Sequence, residues 1–305
     1  MTKEQAFLDQ IISIIGQPKN LYAGIGQDCA IIKTNTDIWQ VFTCDTQLEG
    51  THFKLLWTTA EQLGRKAAVV NISDIAAVGG IPKYCLVSLG LPSKISQQFI
   101  KKIYIGLKKE FDPVGVNIIG GNIVKSDKLF IDITLIGEIQ KENIVLRSGA
   151  KINDLIAVTG TLGDASQARM LLKKNIINKK LSDRFLLPNH RLKAGQILAK
   201  NKLVSAMMDI SDGLSTDLIT LCNMSKVGAQ IDIKKLPVSN ELKKYKNYFA
   251  TALSGGEDYE LLFTFNPKNL TKIGQVLKNT RFTIIGKITD NGFNFKNSSW
   301  NHFSR

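Results

Sequence analysis

The spacing of apolar residues predicts alternating helices and strands in the first part of the chain. Apolar positions recur at helical intervals in Phe7–Ile15 and in the long segment Glu61–Val78, which Gly79-Gly80 would end. Continuous apolar runs in Ile38–Cys44 and Tyr84–Leu91 have the length of buried strands. The same patterns predict a further helix and two further strands at Gln97–Phe111, Val116–Ile119 and Leu129–Ile136.

The pattern restarts near Arg147. Helices are predicted from Asp164 and after Gly213. Strands are predicted at Asp154–Thr159, Met207–Ile210, Ala229–Ile233 and Leu261–Phe265. The chain is therefore predicted to be an α/β (α+β) protein of two mixed α/β domains, residues 1–145 and 146–305. Because no Pro-rich or Ser-rich linker lies near this boundary, we expect the two domains to share a tight interface.

Charge and cysteine content argue against several classes of protein. Among the 305 residues, 40 Lys and Arg against 26 Asp and Glu give a net charge of +14. The lysines form small groups such as Lys101-Lys102 and Lys243-Lys244, which favours a solvated surface over a nucleic-acid-binding face. No two of the four cysteines have Cys-x-x-Cys spacing, Met1–Gln10 lacks a secretory signal, and no apolar run approaches the ~20 residues that span a bilayer. We expect a cytoplasmic protein with reduced thiols and with neither a nucleic-acid nor a membrane partner.

Aspartates at the ends of apolar segments are the candidate chemistry. Asp74 stands among apolar neighbours in a predicted helix, where an unpaired carboxylate would cost several kcal/mol. Its pattern, Ile-Ser-Asp, recurs at Ile210–Asp212, while Asp28 and Asp45 follow a glycine-rich and an apolar segment. Oxygen donors in such settings suit hard cations, and Mg²⁺ usually shares its coordination with substrate phosphates. The sequence therefore predicts a metal–phosphate site.

Glycine-rich segments support phosphate binding. Gly120-Gly121-Asn122 and Gly160–Gly163 are predicted turns that each follow a strand, and Ser254–Glu260 has the same character. Glycine lets backbone N–H groups approach phosphate oxygens. A P-loop enzyme is disfavoured because no Gly-x-x-x-x-Gly-Lys-Ser/Thr motif is present, and Cys29 occupies the place of the third glycine in a dinucleotide fingerprint that would start at Gly24.

Several blocks of the sequence match the motifs of one known family. The blocks are Gly24–Ala30, Thr43–Asp45 with Glu49–Phe53, Asn71–Ala77, Gly120–Asn122, Arg147–Lys151, Val158–Asp164, Asp209–Leu214 and Ser254–Leu261. They resemble the thiamine-monophosphate kinase family, in family order and over nearly the whole chain. The blocks at Glu49–Phe53 and Ser254–Leu261 are the most specific, whereas the aspartate-containing blocks are shared with the wider group of aminoimidazole-ribotide-synthetase-like ATP enzymes.

The resemblance implies both an assembly and a reaction. The N-terminal sheet would pair with that of a second subunit to form a homodimer, and the C-terminal domain would complete the active site. The reaction would be direct, in-line transfer of the γ-phosphoryl group of ATP to thiamine monophosphate, giving thiamine diphosphate, with several Mg²⁺ ions. Because the acceptor phosphate is already ionised near neutral pH, the chemistry requires charge neutralisation and alignment rather than a general base.

The resemblance also implies a role for each matched position. The implied metal ligands are Asp28, Thr43, Cys44, Asp45, Asp74, Asn122, Asp209 and Asp212. The implied ATP contacts are Tyr104, Gly121, Asn122, Arg147 and Ser211. The implied contacts to thiamine monophosphate are His52, Glu257 and Trp300, although core or interface packing remains an alternative for the tryptophan.

Three positions depart from the family pattern. Gln27 stands where a second acid is usual, Cys44 replaces a threonine, and Asn122 replaces a magnesium-binding aspartate. These departures leave open a catalytically weakened or degenerate ATP-binding homologue, or another ATP-dependent enzyme of the same fold. A selenophosphate synthetase is disfavoured because Met1–Gly26 contains no reactive cysteine.

We expect the metal site that contains Asn122 to bind Mg²⁺ weakly, because an amide oxygen coordinates a hard cation without supplying negative charge. The substitution Asn122→Asp should lower the Mg²⁺ concentration that gives half-maximal ATP-dependent activity. Titration of wild type and variant with MgCl2 measures this concentration. Identical titration curves for the two proteins would contradict the expectation.

Overall fold

The first half of the chain forms a mixed six-stranded sheet with one long buried helix. The computed structural model of the protein describes residues 3–16 and 18–296. The strands of this sheet are β1 (Leu21–Ala23), β2 (Ala30–Ile32), β3 (Ile38–Leu48), β4 (Ile81–Leu91), β5 (Asn117–Lys125) and β6 (Phe130–Gln140), in the spatial order β1-β2-β3-β6-β4-β5. All neighbours pair antiparallel except β4 and β5, which are parallel. The helices are α1 (Lys3–Ile15), α2 (Ala60–Val78) and α3 (Gln97–Phe111).

The second half forms a five-stranded antiparallel sheet. Its strands are β7 (Leu155–Thr159), β8 (Ala206–Asp209), β9 (Gly228–Ile231), β10 (Leu261–Phe265) and β11 (Phe282–Thr289), in the order β8-β10-β7-β11-β9. The helices are α4 (Asp164–Lys173), α5 (Lys179–Leu186), α6 (Leu192–Lys200), α7 (Leu214–Ser225), α8 (Tyr248–Ser254) and α9 (Leu270–Val276). No helix among residues 3–16 and 18–296 is both long and apolar enough to cross a bilayer.

Helix α2 joins the two halves. It begins at a capping box between Thr59 and Gln62 and ends at Gly79, whose backbone is left-handed at φ 79°. One side packs on β3, β6 and α3, and another side packs on α6 and β8. A Cβ atom at Gly64 would lie 2.0 Å from the carbonyl oxygen of Ile103, so glycine allows α2 and α3 to cross closely. One hydrophobic cluster therefore extends across both halves, while two smaller clusters of buried residues belong to the second half.

One face of the first sheet carries exposed apolar side chains. Along β4, the buried side chains of Cys85 and Val87 alternate with those of Tyr84 and Leu86, which are 46% and 39% exposed. Strand β5 forms the edge of the same sheet, and its Ile123 is 60% exposed. We call the side that carries Tyr84 and Leu86 the open face.

Most elements predicted from apolar spacing are present, but two local predictions were wrong. The helix Gln97–Phe111 has the predicted bounds, and Glu61–Val78 lies within α2. Gly120-Gly121-Asn122, however, is the middle of strand β5 and not a turn. A Cβ atom at Gly121, where φ is +149°, would lie 1.8 Å from the carbonyl oxygen of Val87. This glycine therefore permits close pairing of β5 with β4. Asp45 likewise lies inside β3 rather than after the end of the strand.

Candidate active site

A cleft of about 890 Å³ is lined by residues from both halves of the chain. This volume is within the range of small-molecule sites. Most of the residues predicted from the sequence line it, namely Asp28, Thr43, Cys44, Asp45, His52, Asp74, Arg147, Asp209, Ser211, Asp212 and Glu257. The fold thus brings together metal, nucleotide and acceptor positions that lie far apart in the sequence.

Asp28, Asp74 and Asp209 converge in the cleft from three separate elements. Asp28 lies just before β2, Asp74 lies on α2, and Asp209 ends β8. One carboxylate oxygen of each lies within 4.8 Å of the others. Oδ2 of Asp28 and Oδ1 of Asp209 are buried and accept no hydrogen bond from any part of the chain that the structure describes. A donor set made only of oxygens, with two buried oxygens left unsatisfied, fits a hard divalent cation.

Burial and nearby negative charge make Asp74 and Asp209 difficult to ionise. Burial raises the pKa of Asp209 from 3.8 to about 8, and the negative charge of Asp28 adds to the effect. Burial, followed by the charges of Asp45 and Asp209, also raises the pKa of Asp74 well above its ordinary value. The folded chain therefore binds protons at these groups more tightly than the unfolded chain does. For Asp209, stability is lost as the pH rises from 3.8 to about 8.

Buried polar groups hold the carboxylates in place. Ser73 Oγ donates to Asp209 Oδ2 at 2.7 Å, and the hydroxyl of Thr43 donates to Asp74. Asn71, which is fully buried, accepts a hydrogen bond from a backbone N–H of β3 at 3.2 Å. The sequence analysis assigned no role to Asn71 or Ser73. The feature that could have indicated both residues is their position in the otherwise apolar second half of the helix, one of them a turn before the aspartate and the other next to it.

Arg147 is paired with the acidic cluster. Its Nη2 donates to Asp28 Oδ1 at 2.7 Å, and its Nη1 donates to the carbonyl oxygen of Gly26 at 3.0 Å. Gln27, which stands at the place of a usual acid, accepts a hydrogen bond from the backbone N–H of Arg147 at 3.0 Å. A predicted nucleotide contact and a predicted metal ligand thus contact each other, and a phosphate in the cleft would compete with Asp28 for the same guanidinium group.

Two of the predicted acceptor contacts, His52 and Glu257, lie close together in the cleft. His52 Nδ1 accepts a hydrogen bond from the backbone of Leu48 at 3.0 Å. Glu257 forms an ion pair of 2.5 Å with the buried Lys66, a residue that the sequence analysis missed. The backbone is left-handed at Glu257 and at Tyr259, with φ of 67° and 51°. Non-glycine residues adopt this conformation only at an energetic cost, and such residues concentrate at functional sites.

The remaining predicted residues lie elsewhere. Tyr104 is on α3, where it packs against the core, and Gly121 and Asn122 are on the edge strand β5. Asn122 is exposed and pairs in register with Ser88 of β4. None of these three residues lines the cleft of its own chain. Trp300 lies outside the described residues.

Comparison with known proteins identifies the family and the fold of the chain. Residues 26–139 match the N-terminal domain, and residues 151–295 the C-terminal domain, of AIR synthase related proteins. Thiamine-monophosphate kinases of Buchnera aphidicola and Bacillus subtilis are 38% and 35% identical, with 93% and 92% of this chain and 93% of each relative covered. The solved structure of AaThiL complexed with AMPPCP and TMP has a TM-score of 0.86 and 34% identity, covering 98% of this chain and 97% of that chain.

The two sheets correspond to the N- and C-terminal domains of an AIR-synthase-related protein. Within this class, the chain is 35–38% identical to two thiamine-monophosphate kinases, and more than nine-tenths of each sequence is covered. The chain belongs to the thiamine-monophosphate kinase family.

Removal of one clustered charge tests the metal site. Asp209→Asn keeps the size of the side chain, so above pH 8 the metal-free variant should melt about 2–4 °C higher than wild type, as relief of ~1 kcal/mol of repulsion would produce. Added MgCl2 should stabilise wild type and have much less effect on the variant. Thermal unfolding in EDTA and in MgCl2 measures both quantities.

Asp154→Asn is the matched control, because Asp154 is equally buried but accepts hydrogen bonds from Ser205 and Lys151 outside the cleft. We expect this control to lower the melting temperature and to leave the response to MgCl2 unchanged. An Asp209→Asn protein that responds to MgCl2 as wild type does would show that the cluster is not the metal site.

Proposed function

We propose that this protein transfers the γ-phosphoryl group of ATP to thiamine monophosphate and so forms thiamine diphosphate. The observation that carries the proposal is that three carboxylates within 4.8 Å share one cleft with two predicted nucleotide contacts, Arg147 and Ser211, and two predicted acceptor contacts, His52 and Glu257. AaThiL, which aligns over 98% of this chain, was solved with AMPPCP, an analogue of ATP, and with TMP. The cleft volume of about 890 Å³ lies within the range of small-molecule sites.

The metal in this proposal is magnesium. The side chains that would hold it are Asp28, Thr43, Asp45, Asp74, Asp209 and Asp212, together with Cys44, whose backbone carbonyl would serve as well as that of a threonine. Magnesium bound there would neutralise negative charge on the transferring phosphoryl group. The unsatisfied oxygens of Asp28 and Asp209 support this assignment because they are buried acceptors in need of a cation.

The side chains of the cleft would align two anionic partners. Arg147 has a permanent positive charge and would attract the phosphates of ATP, next to Ser211. No side chain has to remove a proton, because the attacking phosphate oxygen is already ionised near neutral pH. Alignment of the two substrates and stabilisation of negative charge in the transition state would then account for most of the rate enhancement.

His52 and Glu257 would bind the acceptor. Both line the cleft, and both are held by further contacts. A carboxylate can accept a hydrogen bond from the amino group of the thiamine pyrimidine or attract the thiazolium cation, so Glu257 suits a cationic acceptor. Trp300, which lies outside the described residues, is the third acceptor contact that the resemblance implies.

We further propose a homodimer that forms through the open face of the first sheet. This face is apolar around Tyr84 and Leu86, and exposed apolar patches of this kind are typical of protein interfaces. Phe42 and Thr134, which lie on the same face, line the cleft, so the cleft reaches the proposed interface. A partner seated there would bring its own β5 close to this cleft. Such an arrangement accounts for Gly121 and Asn122 lying outside the cleft of their own chain.

The free state of the cysteines supports the predicted cytoplasmic location, where thiols stay reduced. All four cysteines are free, and Cys29, Cys85 and Cys222 are buried. Cys44 lines the cleft as an exposed thiol, which a reducing compartment would keep intact.

Product analysis tests the proposed reaction. Purified protein incubated with ATP, MgCl2 and thiamine monophosphate should form thiamine diphosphate, detected by chromatography. Asp45→Ala and Asp212→Ala should each reduce the rate by roughly two orders of magnitude, equivalent to ~3 kcal/mol of lost transition-state stabilisation. Asp37→Ala is the control, because Asp37 is 72% exposed and pairs only with Lys141 on the surface. Absence of product, despite measurable ATP binding, would point to a degenerate homologue or to a different acceptor.

Light scattering tests the proposed dimer. We expect wild type to have twice the chain mass of 33.7 kDa, and Leu86→Arg to have the mass of one chain, because a buried, unpaired charge would disrupt the open face. Ile177→Arg is the control, since Ile177 is 78% exposed in the second half of the chain. A wild-type protein with the mass of a single chain at enzymatically active concentration would exclude the dimer.

A further inference from the structure

Lys66 is a buried lysine on α2 that the proposed reaction does not yet use. Its side chain is 1% exposed, and its Nζ lies 2.5 Å from Glu257 Oε2. The ammonium group also lies 3.8 Å from the centre of the Phe185 ring. Burial lowers the pKa of Lys66, and the nearby carboxylate of Glu257 opposes this shift. A buried ammonium group is tolerated where an anion and an aromatic face replace its water, and both are present here.

The same ammonium group connects the two predicted acceptor contacts. Besides pairing with Glu257, Nζ donates to the backbone carbonyl of His52 at 3.4 Å. His52 belongs to the first half of the chain and Glu257 to the second, and both line the cleft. Lys66 does not line the cleft itself, whereas Phe185, which covers it, does. One buried cation thus holds the two sides of the acceptor region at a fixed separation.

The backbone of Glu257 is fixed as well. Its N–H donates to the carbonyl oxygen of Ser211 at 2.7 Å, and its φ is 67°. With the backbone held in a left-handed conformation, the direction of the carboxylate depends on the side-chain torsions. The ion pair with Lys66 uses Oε2 and so leaves Oε1 as the oxygen that can accept a hydrogen bond from a ligand in the cleft.

We propose that Lys66 is a positioning residue for the acceptor, which it serves by fixing the carboxylate of Glu257 and the backbone of His52. This inference rests on the proposed function, because it assigns Glu257 to thiamine monophosphate rather than to ATP. The effect of Lys66 is therefore confined to the acceptor half of the cleft. Loss of a purely structural ion pair would instead lower stability and leave the affinities for both substrates alike.

Steady-state kinetics of Lys66→Met test this role. Methionine keeps the apolar stem and removes the charge, so Glu257 loses its partner. We expect the KM for thiamine monophosphate to rise at least about tenfold, the effect of ~1.4 kcal/mol, while the KM for ATP changes less than twofold. Arg65→Met is the matched control, because Arg65 is the next residue of α2 and pairs with Glu110 of α3 away from the cleft. This control should leave both KM values unchanged.

A double-mutant cycle with Glu257→Gln separates positioning from general damage. If Lys66 acts through Glu257, Lys66→Met should add little to the KM for thiamine monophosphate once Glu257→Gln is present. Binding of AMPPCP, measured by calorimetry, reports whether each variant retains a folded nucleotide site. If Lys66→Met does not fold, Lys66→Arg is the second variant, because arginine keeps the charge but places it on a larger group that would shift the carboxylate of Glu257. In that variant too, the KM for thiamine monophosphate must change more than the KM for ATP.

Each outcome bears on one hypothesis. A selective rise in the KM for thiamine monophosphate that disappears in the Glu257→Gln background supports the positioning role. Equal changes in both KM values, or fully additive effects in the cycle, overturn it while the proposed reaction stands. If wild type neither forms thiamine diphosphate nor binds thiamine monophosphate, the proposed function is wrong. The acceptor role of Lys66 is then wrong as well.

Discussion

Repulsion among buried carboxylates is the constraint on which the rest of the structure depends. Asp28, Asp74 and Asp209 come from three elements and would separate if the chain were free to move. They stay within 4.8 Å of one another because the surrounding core is closely packed and continuous across both halves. Asp74 and Asp209 therefore bind protons in the metal-free protein and would ionise fully once a cation lies at the place where the phosphates of a substrate are expected. Ligands that the fold already holds in position do not have to be assembled at the moment of reaction.

Helix α2 contributes polar side chains both to the acidic cluster and to the region around Glu257. Asn71, Ser73 and Asp74 serve the acidic cluster from its second half, and Lys66 reaches the acceptor region from a turn and a half earlier. The helix tolerates these polar groups in a buried position because each one has a hydrogen-bonding or ionic partner in the fold. A single rigid element thus sets the distance between the metal–nucleotide region and the acceptor region. This is a structural basis for the proposed in-line alignment of two substrates, which would bind to different parts of the cleft.

Local patterns were sufficient to predict the elements and residues that are defined by local physics. The bounds of α3 and most of α2 followed from apolar spacing and from glycine at the helix end, and the aspartates stood out against apolar neighbours. Features set by distant partners could not be predicted in this way. A Gly-Gly pair predicts a turn, yet Gly121 is strand because β4 lies alongside it. Lys66 and Glu257 are 191 positions apart, so nothing in either local sequence indicates their ion pair.

The left-handed backbone at Glu257 and Tyr259 has a consequence for how substitutions in this loop would act. Glycine at position 257 would relieve backbone strain of roughly 1 kcal/mol, but it would also leave the buried ammonium group of Lys66 without its anion, which costs more. Glycine at position 259 would likewise remove a side chain that is 7% exposed. The side chains that strain the backbone are therefore the same ones that attach the loop to the rest of the fold. A glycine introduced to relax this loop would loosen the wall of the cleft.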